Sequence, residues 1–270
     1  MAFSAKVLAD SISPEEVRLT TLEVTFPRMI LAEFNTHRVF SRNSASSRAI
    51  PVHKQLARIK EHPFIPEYWG ANQAGMQAEK ELTGKAAEQA KEEWLAARDS
   101  AVEHVEKLLE IGLHKQLSNR VLEAFMWHTV IVTATEWDNF FALRAHSDAQ
   151  PEIRKPADLI KKALDESTPR KLGYGQWHMP LIQDDEDFSL EECLKISCGR
   201  CARVSYLTHD GVRDPAKDIE LYERLVDSGH MSPLEHAARP MKKGEDQKGN
   251  LRGWHQHRAD IAHENNYGAR

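Results

Sequence analysis

The sequence predicts a mixed α/β (α+β) chain. Three observations carry this. LTTLEVTF, Leu19 to Phe26, alternates apolar and polar residues as a strand does. Residues 86–111 carry Leu95, Val102, Val105, Leu108 and Leu109 on one helical stripe. HTVIVTA, His128 to Ala134, is β-branched and sits between helical segments.

The elements follow in order. In LTTLEVTF, Leu22, Val24 and Phe26 share one side and Thr21, Glu23 and Thr25 the other, the pattern of a half-buried strand ended by Pro27. RMILAEFNTHR places Ile30, Leu31 and Phe34 at helical spacing, so a short helix carries His37 and Arg38 at its end. Prolines at 51, 63 and 66 mark residues 51–75 as an irregular connection. Gly112 stops the long helix, and a second helix runs from His114 to Met126, including Arg120. Residues 136–145 and 153–164 read as further helices. DDEDF is an acidic loop, and Ser189 caps a helix through Lys195 with Glu191 and Glu192 in its first turn. ARVSYL reads as a short strand. AKDIELYERLVDSG is an amphipathic helix with Ile219, Tyr222, Leu225 and Val226 inside and Gly229 as its stop. MKKGEDQKGN reads as a mobile loop.

Length and charge narrow the function. At roughly 150 residues per domain, 270 residues make one large domain or two small ones. With 41% hydrophobic and 29% charged residues, the composition is that of a globular chain. A net charge of -5 argues against a general nucleic-acid coat, so an anion site must be a local group of arginines. No membrane span or targeting segment is expected, and three cysteines fit a reducing cytoplasm rather than a disulfide framework.

Neither GxGxxG nor GxxxxGK[ST] occurs, so a phosphate must be held by side chains or a helix start. Arg38, Arg48, Arg120 and Arg144 are the candidates, because the planar guanidinium pairs two oxygens at once; the alternative for each is a surface ion pair. CGRC, with His230, His236, His255 and His257 elsewhere, has the spacing of half a zinc site, against the plainer reading of thiols packed beneath a strand. Ser46 and Ser47 beside His37 could mimic a nucleophile and base, but no GxSxG elbow supports them.

Three stretches together resemble flavin-dependent thymidylate synthase. The family's R-H-R followed after seven residues by Ser is matched by THR, VFSRNSA and Ser46, with Asn43 and Arg48 also in place. NFFALRAHSDAQPEI matches a second motif at Asn139, Arg144, Ser147 and Gln150. ARVS and GHMSPLEH match a third at Ser205, His230, Ser232 and Glu235. In the family the third stretch precedes the first; here it follows, as a circular permutation would arrange it, and permutation is tolerated where old termini lie close together at the surface. GWHQHRADIAHEN weakly repeats the first motif, and His37/Arg38 is preferred over His257/Arg258 because Ser46 and Arg48 follow it.

The resemblance implies a single domain over 1–270, with a twisted sheet and long helices in permuted segment order: a nucleotide and flavin segment over 1–165 and a permuted flavin segment over 190–270. It implies FAD held by His37, Arg38, Asn43, Asn139, Ser205, His230, Ser232 and Glu235, and deoxyuridylate (dUMP) held by Ser46, Arg48, Arg120 and Arg144. Arg144 and Ser46 would stand at the catalytic centre, Arg144 against a uracil carbonyl. It further implies methylenetetrahydrofolate and NADPH as co-substrates and a homotetramer with shared sites. Thr36 for the family's first Arg, Glu33 for Gln, Ser44 for Glu, Thr133 for Asn and the swapped order of His146 and Asp148 depart from the pattern. The Thr36, Glu33 and Ser44 changes motivate one alternative, a related transfer to dUMP such as hydroxymethylation; from other classes stand a non-catalytic nucleotide- or flavin-binding protein and a zinc hydrolase built on the histidines and CGRC.

Overall fold

The computed structural model describes residues 1–48, 50–205 and 213–262, with side chains to Arg203 in the second stretch. Its centre is a five-stranded sheet in the order β3-β4-β2-β1-β5. The strands are β1 Ser4–Ile12, β2 Arg18–Pro27, β3 Ser41–Ser44, β4 Trp127–Ala134 and β5 Arg170–Lys171. All neighbours pair antiparallel except β1 and β5. The helices are α1 Leu31–Asn35, α2 Val52–Glu61, α3 Lys85–Glu110, α4 Lys115–Ser118, α5 Asp138–Arg144, α6 Pro151–Glu166, α7 Leu190–Ser205 and α8 Pro215–Asp227. A hairpin of β6 Ala238–Pro240 and β7 Trp254–Gln256 follows.

One sheet face is apolar. Leu22, Val24 and Phe26 of β2 and Val130, Val132 and Ala134 of β4 pack against Phe34, Phe140 and the Ile153, Ala157, Ile160 and Leu164 stripe of α6. Fully burying each Leu, Ile, Val or Phe side chain of this set stabilises by about 1.5–3 kcal/mol, so this face anchors the loops that end on it.

The opposite face is buried too, contrary to the half-buried strand expected. Thr21 is fully buried and Thr25 nearly so. α7 lies over this face, with Cys201 against Ile131. The threonines are tolerated because their hydroxyls are paired: Thr21 Oγ1 meets Thr133 Oγ1 at 2.6 Å and His178 Nε2 at 2.8 Å. His178 Nδ1 continues to Ser11 Oγ at 2.9 Å, and Thr133 Oγ1 meets His236 Nδ1 at 2.8 Å. Burial pushes both His178 and His236 down to about 3, so both imidazoles are neutral.

Other expectations also shift. Residues 52–61 form α2 rather than an irregular connection: Pro51 caps it and Val52, Leu56 and Ile59 pack it onto α3. The second helix is broken into α4 and a 3-10 segment over Asn119–Phe125. ARVS is not a strand; α7 continues through Ser205, and Tyr206 and Leu207 lie outside the described residues. The cap of α7 is as expected: Ser189 Oγ accepts from the Glu192 N–H while Glu192 Oε2 accepts from the Ser189 N–H. Gly112 and Gly229 take φ of +82° and +71° at the ends of α3 and α8.

Candidate active site

β3 is an edge strand, and some of the residues singled out above lie on it or on the turns at its two ends. Its alternation sends Ser41 and Asn43 toward α7 and Arg42 toward α1. Arg42 Nη1 donates to the carbonyls of Asn35 and His37 at 3.1 Å, which locks the turn joining α1 to β3.

That turn carries His37, which is buried. Its ring stacks on Phe40 at 5.7 Å between centroids and meets the Phe140 ring edge-on at 4.9 Å. Arg144, at the end of α5, donates from Nε to His37 Nε2 at 3.1 Å and from Nη2 to Thr36 Oγ1 at 3.4 Å. Burial, then the Arg144 and Arg42 cations, hold His37 below its usual pKa, so it stays neutral and able to accept. Beside this group opens a cleft of about 680 Å³, lined among others by Thr36, His37, Arg38, Trp137 and Asn139. Trp137 stacks on Phe141 at its wall. Arg38 is exposed and has no hydrogen bond or ion pair among the described residues.

On the α7 side of β3, Asn43 Nδ2 donates to the Cys201 carbonyl at 3.0 Å, and Ser232 Oγ donates to Asn43 Oδ1 at 3.3 Å. Glu235 is held by Arg258 Nη1. Gln256 Nε2 ties Glu235 O, at 3.0 Å, to Ser41 Oγ, at 2.9 Å. The two histidine–arginine pairs are therefore not rivals for one place. His37 sits with Arg144, whereas Arg258 holds Glu235 and His257 Nε2 meets Tyr222 Oη at 2.9 Å. His230 is exposed and joined to Ser228 at 2.8 Å. The Ser205 side chain lies outside the described residues.

Beyond the far end of β3 lies a third group. Ser46 Oγ accepts from the Arg48 N–H at 3.3 Å and from Arg48 Nε at 3.4 Å, and its proton has no acceptor among the described residues. Asn119 pins this turn through the carbonyls of Ser47 and Ile50, at 2.7 and 2.8 Å. Glu123 gathers Ser47 Oγ at 2.8 Å and Arg120 and Arg28 at 3.4 Å. The structure thus joins the Ser46–Arg48 turn to the segment carrying Arg120, and joins His37 to Arg144. Among the described residues no hydrogen bond links these two groups.

The sequence reading missed Asn119, Glu123 and Arg28. Asn119 and Glu123 flank Arg120, a signal that was present; Arg28 carried none. The cysteines of CGRC lie inside α7. Burial raises the thiols of Cys198 and Cys201, the latter to about 12, so neither is poised as a thiolate ligand. No cluster of three metal-ligating side chains occurs among the described residues.

A model of the family described as thymidylate synthase complementing protein matches residues 7–170. A flavin-dependent thymidylate synthase of Thermosipho melanesiensis is 30% identical over 167 residues, 58% of this chain and 67% of that protein. Among solved structures, the UMP/dUMP methylase PolB from Streptomyces cacaoi bound with 5-Br dUMP aligns with a TM-score of 0.51 at 16% identity, covering 61% of this chain and 90% of PolB. The 5-Br UMP complex of PolB gives 0.50 at 18% identity, over 61% and 89%. At these identities the likeness to PolB concerns the fold.

Proposed function

Because this chain belongs to the thymidylate synthase complementing protein family, we propose that it methylates dUMP at C5 with the help of FAD. The observation that carries this reading is convergence. Arg144 of the second motif meets His37 of the first in the turn before β3, and Ser232 of the third meets Asn43 of the first on β3, although 107 and 189 positions separate the bonded pairs.

The cleft fits a flavin nucleotide. Its volume falls within the roughly 300–1,000 Å³ of small-molecule sites. Arg38, unpaired among the described residues, offers a cation to a phosphate, Asn139 an amide and Trp137 an aromatic wall. Arg38 and Asn139 would hold the group there, with His37 at its wall and Asn43, Ser232 and Glu235 supporting it from the other face of β3. Reduced FAD, when bound, supplies a hydride, while methylenetetrahydrofolate is the carbon donor and NADPH the reductant.

The chain's own contribution is charge placement. Arg144 would stabilise negative charge developing on the uracil ring and so raise the nucleophilicity of C5. Arg48, Arg120 and the Ser46 hydroxyl would hold the nucleotide phosphate. Since the Arg144 and Arg48 groups stand apart in one chain, each site would draw them from different subunits of a homotetramer. The order of motifs is read as a circular permutation: the family match ends at residue 170, and the later segment returns to β3 through Ser232.

The test is the nucleotide product. Purified protein is incubated with dUMP, methylenetetrahydrofolate, NADPH and FAD, and the product is identified by mass. Thymidylate supports the proposal and 5-hydroxymethyl-dUMP moves it to the related transfer. Bound flavin that is never turned over favours a silent binding protein.

A further inference from the structure

We infer that His37 is a positioning residue for Arg144: a neutral acceptor that fixes the guanidinium while leaving its charge available to an anionic ligand. This rests on the reading of Arg144 as a dUMP ligand, and it shifts His37 from the flavin toward the nucleotide.

Four features carry it. The imidazole cannot turn freely, because Phe40 stacks on one face and Phe140 meets it edge-on. Phe140 and Arg144 are one helical turn apart on α5, so the same helix face that wedges the ring also delivers the donor to it. Nε2 accepts from Arg144 Nε, which requires the proton on Nδ1. Thr36 completes the hold: its hydroxyl donates to the Glu33 carbonyl at 2.7 Å, so its lone pairs face Arg144 Nη2 at 3.4 Å.

The chemistry of these two acceptors matters. Arg144 has no carboxylate partner among the described residues. A carboxylate in the place of His37 would orient the guanidinium equally well but would cancel its field. An imidazole and a hydroxyl orient it without neutralising it. They also occupy only Nε and part of Nη2, so Nη1 remains open to a ligand oxygen. Thr36 is a departure from the family pattern, and here it closes this clamp.

The experiment compares His37→Phe and His37→Gln. Phenylalanine keeps the aromatic wedge and removes the acceptor; glutamine restores an acceptor near the Nε2 position. Affinities for dUMP and for FAD are measured separately on the full chain, and the 15N–1H signal of Arg144 Nε is followed by NMR. The expected result is that His37→Phe weakens dUMP binding roughly tenfold or more with FAD binding unchanged, and that His37→Gln recovers most of the loss. The Arg144 Nε proton should exchange slowly in the wild type and in His37→Gln, and fast in His37→Phe. A loss of FAD affinity with dUMP affinity intact overturns the inference, as does a glutamine variant no better than phenylalanine. If the wild type binds no dUMP, the proposed function fails, and the Arg144 signal alone decides: fast exchange in the wild type overturns the clamp.

Discussion

Ser232 Oγ donates a hydrogen bond to Asn43 Oδ1 at 3.3 Å, joining the segment after α8 to the edge strand β3 across 189 residues. The same asparagine donates to the Cys201 carbonyl of α7, so one buried side chain bridges three elements. Asn43→Ala would strand both partners. The expected loss is about 1–3 kcal/mol in urea denaturation, accompanied by weaker FAD binding. A variant as stable as the wild type contradicts the bridging role.

Gly199 explains part of CGRC. A Cβ there would lie 2.2 Å from the backbone oxygen of Asp218, so α7 and α8 touch at this point. The contact aligns Arg200 with Asp218 at 3.0 Å and with Glu186, an ion cluster buried under α8. Gly199→Ala should push the helices apart and cost about 1–3 kcal/mol, read as a lowered urea midpoint. No change in midpoint would mean that the helices slide apart freely.

Acid should destabilise the protein before its carboxylates titrate. His128, His178 and His236 are held neutral, each lowered from 6.5 to about 3 by burial. Their native pKa lies below the unfolded one, so the unfolded chain takes up protons first. The stability they support is complete above about pH 6.5 and is lost as pH falls toward 3. Each contributes a slope of up to about 1.4 kcal/mol per pH unit in that window. Urea midpoints at pH 7, 6 and 5 test this; a profile flat between pH 7 and 5 contradicts it.

Much of this architecture is legible in the sequence, and what is not has physical causes. α3, α5 and α6 follow from helical periodicity, and β4 from its β-branched run. The second face of β2 is misread because threonines signal solvent, whereas here their hydroxyls pair with each other and with His178. α2 is hidden by prolines that bracket the helix instead of interrupting it. ARVS has strand-like residues, but α7 is held as a helix by its packing on the sheet through Cys201. At the site, individual motif residues are visible, yet the contact of Arg144 with His37 joins positions 107 apart and has no local signal.

Shared sites make a distinct prediction. Arg48→Ala and Arg144→Ala should each abolish turnover alone. Mixed under conditions that exchange subunits, they should regain a fraction of wild-type activity, because some sites would then combine an intact Arg48 with an intact Arg144. Mixtures as inactive as either variant would place both arginines of a site in one subunit.

The central claim is that guanidinium groups from separate segments grip an anionic nucleotide beside a flavin. The most direct test is the paired affinity of Arg144→Ala for dUMP and for FAD. The account predicts that dUMP binding weakens by roughly 2–5 kcal/mol while FAD binding stays near the wild-type value. Equal loss of both in a folded protein, or no loss of dUMP binding, would contradict it.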